Sequence, residues 1–202
     1  MIGISKIMSM PYRILIVCTG NICRSPMGEI VLREKLSQAK ITDVAVASAA
    51  VSAEEQGNQI DTRAARVLRE AGYFVPNHRA HQVTRKELQE FDLILAMTAG
   101  HARRLRTMML TDLTKLHLWR EFDGTCEYAV HGVFGAGGIL SSPSEQNQKR
   151  SRYADFTVSD GAYDVPDPWY GGQAGFYDTL AIIERGAEGI CEFINSKQRD
   201  TQ

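Results

Sequence analysis

Cys18 and Arg24 are separated by five residues in the stretch Cys-Thr-Gly-Asn-Ile-Cys-Arg-Ser-Pro. The apolar run at residues 14–17 precedes this stretch, and a helical pattern begins near Ser25. A loop between a strand and a helix N-terminus collects backbone N–H groups, and the helix dipole there favours negative charge. The sequence therefore predicts an anion-binding loop with a cysteine at its base.

The side chains of this loop indicate phosphoryl chemistry. The positive field around Cys18 favours the thiolate, which is the nucleophilic form. Arg24 offers a planar, always charged fork for two phosphate oxygens, and Ser25 can donate a hydrogen bond to the sulfur when it leaves. Gly20 and Asn21 accept positive φ more readily than other residues. The alternative, a buried structural cysteine beside an ordinary turn, does not account for these agreeing features.

Two stretches of the chain resemble one known family. Residues 17–27 are similar to the signature loop of the low-molecular-weight protein tyrosine phosphatases, and residues 165–172, Val-Pro-Asp-Pro-Trp-Tyr-Gly-Gly, are similar to that family's general-acid loop. The resemblance covers most of residues 12–119 and 163–196. It implies hydrolysis of phosphotyrosine monoesters through a cysteinyl-phosphate, with no metal or other cofactor, in phosphotyrosine-containing proteins or peptides.

The resemblance also assigns roles within the loop. Cys18 would attack phosphorus, while Arg24 and backbone N–H groups would hold the three equatorial oxygens. The expected phosphate-binding residues are Thr19, Gly20, Asn21, Ile22, Cys23 and Arg24. Cys23 would trap an oxidised Cys18 as a reversible disulfide, although a small packing residue is the alternative for this cysteine.

Asp167 is the expected general acid. It would protonate the leaving oxygen and then accept a proton from the water that hydrolyses the intermediate. Asp164, three residues earlier, is the competing candidate. We favour Asp167 because Pro168 stiffens its backbone and because it matches the family's Asp-Pro-aromatic pattern.

Other residues are expected to support the loop. Asn21, Ser25, Ser48 and His78 match the family's hydrogen-bond network that holds the loop rigid. His78 is expected to act through that network rather than in the reaction itself.

The pocket walls decide the substrate. Trp169 and Tyr170 offer flat apolar surface for an aromatic ring, which suits phosphotyrosine better than phosphoserine. Ile22 agrees, because the arginine-phosphatase branch of the family carries Thr at this loop position. Glu54, with Glu55 beside it, occupies the opposite wall where the family often has an aromatic. We therefore expect weak affinity for acidic phosphopeptides.

The elements that must position these residues alternate between strands and helices. Buried strands are predicted over residues 12–17, 44–47, 93–97 and 115–119, and the last helix over 176–195. Asp61 should cap a helix, and Thr84 with Glu87 forms a capping-box pattern. This alternation predicts an α/β fold with a parallel sheet between layers of helices and right-handed crossovers. The resemblance implies a four-stranded sheet of order 2-1-3-4.

The chain is long enough for one domain, expected over residues 12–196. Residues 1–11 would form a loose extension and residues 197–202 a tail. An insertion at about 120–163 shows little periodicity and does not fit a compact core. It is either a surface segment without a chemical role or a lid or docking arm leading into the Asp167 loop.

Composition excludes several classes of function. A net charge of −1 gives no electrostatic reason to expect nucleic acid or membrane partners. The four cysteines show no zinc-ligand spacing, and no apolar run approaches a membrane span. A catalytic thiolate favours a reduced, cytoplasmic protein, and we expect a monomer.

Two other functions remain alternatives. A thiol-dependent arsenate reductase would need further cysteines to relay a disulfide, and none lies between Cys23 and Cys126. An inactive phosphatase that only captures phosphoproteins is the second alternative. The intact Cys18, Arg24 and Asp167 argue against it, whereas Glu54 and the insertion keep it open.

Overall fold

A computed structural model describes residues 10–110, 112–141 and 161–200. Most of the expected N-terminal extension, residues 1–9, and the later part of the expected insertion, residues 142–160, lie outside the described residues. Within the described helices, none is both long and apolar enough to cross a membrane.

The centre of the molecule is a four-stranded parallel sheet of order β2-β1-β3-β4. Its strands are β1 (Tyr12–Cys18), β2 (Val44–Ala50), β3 (Leu93–Ala96) and β4 (Leu116–Leu118). The predicted fold and strand order are thus confirmed. Strand β2 continues three residues beyond its predicted end because residues 48–50 pair in register with residues 16–18 of β1.

Among the described residues, five α-helices surround the sheet, which gives the predicted three layers. They are α1 (Arg24–Gln38), α2 (Thr62–Glu70), α3 (Arg85–Gln89), α4 (Ala99–Met108) and α5 (Gln173–Asp200). One apolar cluster joins one sheet face to α1, α2 and α5 through buried residues such as Met27, Leu68 and Phe176. A second cluster joins the other face to α4 through residues such as Leu105.

The predicted helix starts agree with the structure at two caps. The Asp61 side chain accepts hydrogen bonds from the backbone N–H groups of Arg63 and Ala64 at the start of α2. Thr84 and Glu87 form the predicted capping box at the start of α3. These caps fix where each helix leaves the loops around the site.

Helix α5 is longer than predicted at both ends. It begins three residues before Phe176 and continues to Asp200, so residues 197–200 of the expected tail are helical. Ile194 is buried against the core, and the Lys197 ammonium lies 5.1 Å from the centre of the Phe193 ring. Basic residues in the last turn also suit the negative end of the helix dipole.

The first half of the expected insertion belongs to the core, which corrects the prediction that it lies outside it. Val133 and Leu140 are buried in the same cluster as α4, and the Val133 N–H donates to the Leu116 carbonyl of β4 at 2.8 Å. Gly132 has φ +77°, and a Cβ there would lie 2.2 Å from the Leu113 carbonyl oxygen. The segment packs through isolated apolar residues and tight glycine turns, so it has no periodic pattern that sequence reasoning could detect.

Candidate active site

The loop of residues 18–24, here called the phosphate loop, joins the end of β1 to the start of α1. Cys18 is the last residue of β1 and is only 3% exposed. Its sulfur accepts a hydrogen bond from the Asn21 backbone N–H at 3.3 Å and lies 3.0 Å from Ser25 Oγ. The sulfur therefore lies beside a backbone N–H and a hydroxyl group at the N-terminus of a helix, where negative charge is favoured.

Asn21 holds the shape of this loop. Its φ is 57°, a left-handed value that Asn tolerates better than most residues. Its Nδ2 donates to Ser25 Oγ and to Ser48 Oγ, both at 2.9 Å, and its Oδ1 accepts from the His81 N–H at 3.2 Å. Ser48 Oγ donates in turn to Glu29 at 2.5 Å. The expected Asn–Ser–Ser network is thus present, and Glu29 extends it.

Two further contacts fix the outer side of the phosphate loop. His78 Nε2 lies 2.7 Å from the Asn21 carbonyl oxygen, which places His78 in the supporting position that the sequence predicts. The Asp61 N–H donates to the Ile22 carbonyl at 2.8 Å and ties the loop to the start of α2. The loop is therefore held by β2, by α2 and by the segment around residue 80.

Arg24 joins the phosphate loop to the segment of residues 165–172, here called the acid loop. Its side chain is almost completely buried, and Nη1 donates to the Val165 carbonyl at 3.3 Å. Nη2 donates to Asp167 Oδ2 at 2.6 Å and to Thr19 Oγ1 at 3.5 Å. This contact brings Asp167 to the same cleft as Cys18, although the two residues are far apart in the sequence.

Asp164, the competing acid, has a different position. It is buried, and its Oδ1 accepts a hydrogen bond from the Ala99 N–H at 2.7 Å at the start of α4. It is not among the residues that line the cleft. Its carboxylate stabilises the N-terminus of α4 and fixes the start of the acid loop.

His101 is a contact of the phosphate loop that sequence reasoning missed. It lies fully buried in the first turn of α4, with Nε2 2.8 Å from Thr19 Oγ1. Burial, with a smaller contribution from the charge of Arg24, lowers the pKa of His101 well below its usual value. Nδ1 has no hydrogen-bond partner among the described residues. The only feature of the sequence that could have indicated this contact is the position of His101 shortly after a predicted strand. The rest of its helix has the basic pattern of an exposed helix.

The cleft above Cys18 contains the predicted pocket residues. Trp169 and Tyr170 stand at its mouth with 43% and 83% of their surface exposed, and Glu54 and Glu55 form the rim. The cleft is lined by Cys18, Thr19, Gly20, Ile22, Cys23, Arg24, Glu54, Glu55, Asp167, Trp169 and Tyr170. A narrow cleft with a sulfur at its base and aromatic side chains at its mouth suits a long, ring-bearing phosphate ester.

Cys23 is buried beside Cys18 in the same loop. Burial, followed by repulsion from Asp61, raises the pKa of the Cys23 thiol far above its usual value. Both cysteines are free thiols, so the disulfide between them stays a prediction. Over the described ranges, no three or more His, Cys, Asp or Glu side chains are grouped as metal ligands.

Comparison with known proteins agrees with this geometry. Residues 13–133 match the family model described as low molecular weight phosphotyrosine protein phosphatase. A low molecular weight protein-tyrosine-phosphatase of Streptomyces coelicolor is 34% identical over 90% of this chain and 92% of its own length. Phosphatase A of the same class from Mycobacterium tuberculosis is 32% identical over 94% and 96%.

A solved structure extends this agreement to three dimensions. The low molecular weight phosphotyrosine phosphatase of Vibrio cholerae superposes with a TM-score of 0.67 at 26% identity, over 94% of this chain and 98% of the other. The similarity to these phosphatases therefore extends along nearly the whole chain. It includes the sheet, the cleft and both loops. The chain belongs to the low molecular weight phosphotyrosine protein phosphatase family.

Proposed function

We propose that this protein hydrolyses phosphotyrosine in proteins or peptides through a cysteinyl-phosphate on Cys18. The observation that carries the proposal is the contact between Arg24 Nη2 and Asp167 Oδ2 at 2.6 Å in the cleft above the Cys18 sulfur. The contact supports the proposal because Cys18, Arg24 and Asp167 line one cleft, where a single phosphate group could meet a nucleophile, a cation and an acid.

Substrate binding comes first. The phosphate dianion takes the place of the Asp167 carboxylate at Arg24 Nη2, while Nη1 keeps its hydrogen bond to the Val165 carbonyl. Backbone N–H groups of residues 19–24 bind the remaining equatorial oxygens. Because Arg24 is anchored through Nη1, the exchange at Nη2 needs little movement of the guanidinium.

Transfer of the phosphoryl group to the Cys18 sulfur follows. The Cys18 sulfur attacks phosphorus in line, and the bond between phosphorus and the tyrosine oxygen breaks. Its electron pair stays on that oxygen, which takes a proton from Asp167, and Asp167 has taken up this proton from solvent on its release from Arg24. The Asn21 N–H and the Ser25 hydroxyl stabilise the thiolate before it attacks.

Hydrolysis regenerates the enzyme. Asp167, now a carboxylate, takes a proton from a water molecule that attacks phosphorus. The bond between sulfur and phosphorus breaks, its electrons return to Cys18, and the Ser25 hydroxyl donates to the leaving sulfur. Inorganic phosphate then leaves, Asp167 releases its proton to solvent, and its carboxylate pairs with Arg24 again.

The cleft favours an aromatic substrate. The sulfur is buried while Trp169 and Tyr170 are exposed at the mouth, so a short serine phosphate would reach the sulfur only by desolvating its own backbone. Ile22 lines the cleft with an apolar side chain, which suits a phenyl ring better than a charged guanidinium. We also propose that the protein acts as a monomer in the reducing cytoplasm, where its free thiols are protected.

The test is phosphate release from three matched substrates, a phosphotyrosine peptide, a phosphoserine peptide and phosphoarginine, with chelator and reductant present. Wild-type protein should turn over the phosphotyrosine peptide with the highest kcat/KM, and Cys18→Ser should remove turnover while thermal unfolding shows a folded protein. Higher kcat/KM on phosphoarginine would contradict the substrate assignment. Tight binding without turnover by the wild type would instead favour a phosphoprotein-binding module.

Arsenate reduction is tested in the same preparation. Of the residues that line the cleft, Cys18 and Cys23 are the two thiols, and the next cysteine, Cys126, is not among them. We therefore expect no thiol-dependent loss of arsenate. Arsenate reduction that requires Cys126 would contradict this expectation.

A further inference from the structure

We propose that Arg63 is a positioning residue that fixes the acid loop, and with it Asp167, relative to the phosphate loop. The proposal rests on the proposed function, because it concerns how the acid of that reaction is held. Arg63 lies in the first turn of α2, outside the residues that line the cleft.

One side of Arg63 is tied to the phosphate loop through Asp61. Its Nη2 lies 3.0 Å from Asp61 Oδ2 and its Nε 3.2 Å from Asp61 Oδ1, which is a bidentate pair. The Asp61 N–H donates to the Ile22 carbonyl at 2.8 Å. A two-point contact fixes the plane of the guanidinium as well as its position.

The other side of Arg63 contacts the acid loop. Nη1 lies 3.4 Å from the carbonyl oxygens of both Trp169 and Gly171. The guanidinium carbon lies 5.2 Å from the centre of the Trp169 ring and 4.6 Å from that of Phe176, which is buried at the start of α5. Arg63 thus contacts the backbone and the aromatic wall of the acid loop together.

These contacts give the acid loop a second anchor. The first anchor is Val165, whose N–H donates to the Met97 carbonyl and whose carbonyl accepts from Arg24. Asp167 lies between the two anchors, and its only described ion-pair partner is Arg24, which substrate must occupy. During turnover, Arg63 therefore holds the loop while Asp167 is released from Arg24.

A positioning role has a kinetic signature that a merely structural role lacks. A poor leaving group needs protonation in the transition state, whereas a good leaving group departs as the anion. If loss of Arg63 displaces Asp167, kcat/KM should fall only for the ester with the poor leaving group. General loss of folded protein would lower turnover of both substrates equally.

The experiment compares Arg63→Ala and Arg63→Lys with Arg66→Ala. Arg66 is the matched control, because it is an exposed arginine on the same helix that pairs with Glu70, and no described hydrogen bond or ion pair joins it to the acid loop. For Arg63→Ala we expect kcat/KM on phenyl phosphate to fall about 10- to 100-fold and on 2,4-dinitrophenyl phosphate less than about threefold. Arg63→Lys should be impaired in the same direction, since lysine lacks the planar fork.

A second readout does not depend on catalysis. Trp119 is buried, so acrylamide quenching of tryptophan fluorescence reports mainly on Trp169. Arg63→Ala should make Trp169 more easily quenched, whereas Arg66→Ala should not. An equal fall in kcat/KM on both esters in Arg63→Ala, or quenching of Trp169 unchanged from the wild type, would overturn the proposal. A wild type inactive on phosphotyrosine would contradict the proposed function, and quenching would still decide the role of Arg63.

Discussion

At the scale of single residues, the environment of the Cys18 sulfur depends on the direction of a chain of hydrogen bonds. Ser48 gives its one hydroxyl proton to Glu29, so its oxygen accepts from Asn21 Nδ2. Asn21 also donates to Ser25, whose own hydroxyl proton has two acceptors within reach, the Cys18 sulfur at 3.0 Å and the Ala49 carbonyl at 3.3 Å. A change at Glu29, half-buried in the first half of α1, would therefore be transmitted through Ser48 and Asn21 to Ser25, which contacts the Cys18 sulfur.

Sequence reasoning found only part of this chain. Cys18, Asn21 and Ser25 belong to one contiguous motif, whose residue types each have a reason to be there. Glu29 and His101 lie at helix positions that a polar residue usually occupies on a solvated face. Their contacts depend on how α1 and α4 pack against the loop, which the pattern of residue types does not specify.

The buried His101 predicts a dependence of stability on pH. Its pKa is lowered in the folded protein, whereas the unfolded chain should titrate near about 6.5. Below that pH the unfolded state binds one more proton, so the free energy of unfolding falls as pH falls, by up to about 1.4 kcal/mol per pH unit. His101→Gln should remove this contribution.

Urea unfolding of both proteins at several pH values between about 5 and 7.5 measures the two slopes. His131→Gln, a substitution at an exposed histidine, is the matched control. Equal slopes for wild type and His101→Gln would show that His101 is not kept neutral by folding.

The acidic rim of the cleft predicts that the enzyme disfavours peptides with acidic residues next to the phosphotyrosine. Glu54 is exposed beside the mouth, where it repels acidic residues that flank a phosphotyrosine. Glu54→Gln should raise kcat/KM for an acidic phosphopeptide about two- to fivefold at low salt, and the gain should shrink in high salt. Glu192→Gln on α5 makes the same change of charge away from the cleft, and an equal gain there would exclude a local effect.

At the scale of elements, hydrogen bonds join the start of the acid loop to the end of β3 and to the start of α4. The Val165 N–H donates to the Met97 carbonyl just beyond β3, and Asp164 binds the first N–H of α4. Asp167 follows Val165 by two residues and Asp164 by three. Its position is therefore fixed by these two hydrogen-bonded residues. The sequence indicated the proposed acid role of Asp167 through its Pro-aromatic context, but it gave no sign that Asp164 stabilises a helix.

Asp164 and Asp167 should respond differently to the same substitution. Asp164→Asn keeps the side-chain shape but removes a charged cap, and should lower the free energy of unfolding by about 1 kcal/mol. Because the amide oxygen of Asn can still accept the Ala99 N–H and keep this anchor of the acid loop, the ratio of kcat/KM between phenyl and dinitrophenyl phosphate should stay close to the wild-type ratio. Asp167→Asn should lower kcat/KM on phenyl phosphate about 100-fold or more and change that ratio strongly. The reverse pattern would assign the acid role to Asp164.

At the scale of the whole molecule, the sheet could be predicted because its strands are buried on both faces and read as continuous apolar runs. The strand order came from the resemblance to a family. The packing of residues 120–141 could not be predicted, since Val133 and Leu140 are single apolar residues between glycine turns. Their burial follows from the open edge beside β4, where Val133 continues the hydrogen bonding of the sheet.

The core position of this segment has a direct consequence for stability. Leu140 is 4% exposed, so Leu140→Ala should lower the free energy of unfolding by about 2–4 kcal/mol. This corresponds to a fall in Tm of roughly 5–12 °C for a chain of this size. Val130→Ala, at a residue in the same segment that is 71% exposed, should change Tm little. Equal, small effects of the two substitutions would place the segment outside the core.

The most direct test of the proposed reaction is to trap its intermediate. Protein mixed with phosphotyrosine peptide is quenched in acid within a fraction of its turnover time, digested and analysed by mass spectrometry. We predict one phosphoryl group on the peptide that contains Cys18, absent from Cys18→Ser and present when Cys23 is replaced by Ser. Turnover of phosphotyrosine by the wild type with no phosphate on Cys18, or turnover that persists in Cys18→Ser, would contradict a cysteinyl-phosphate mechanism.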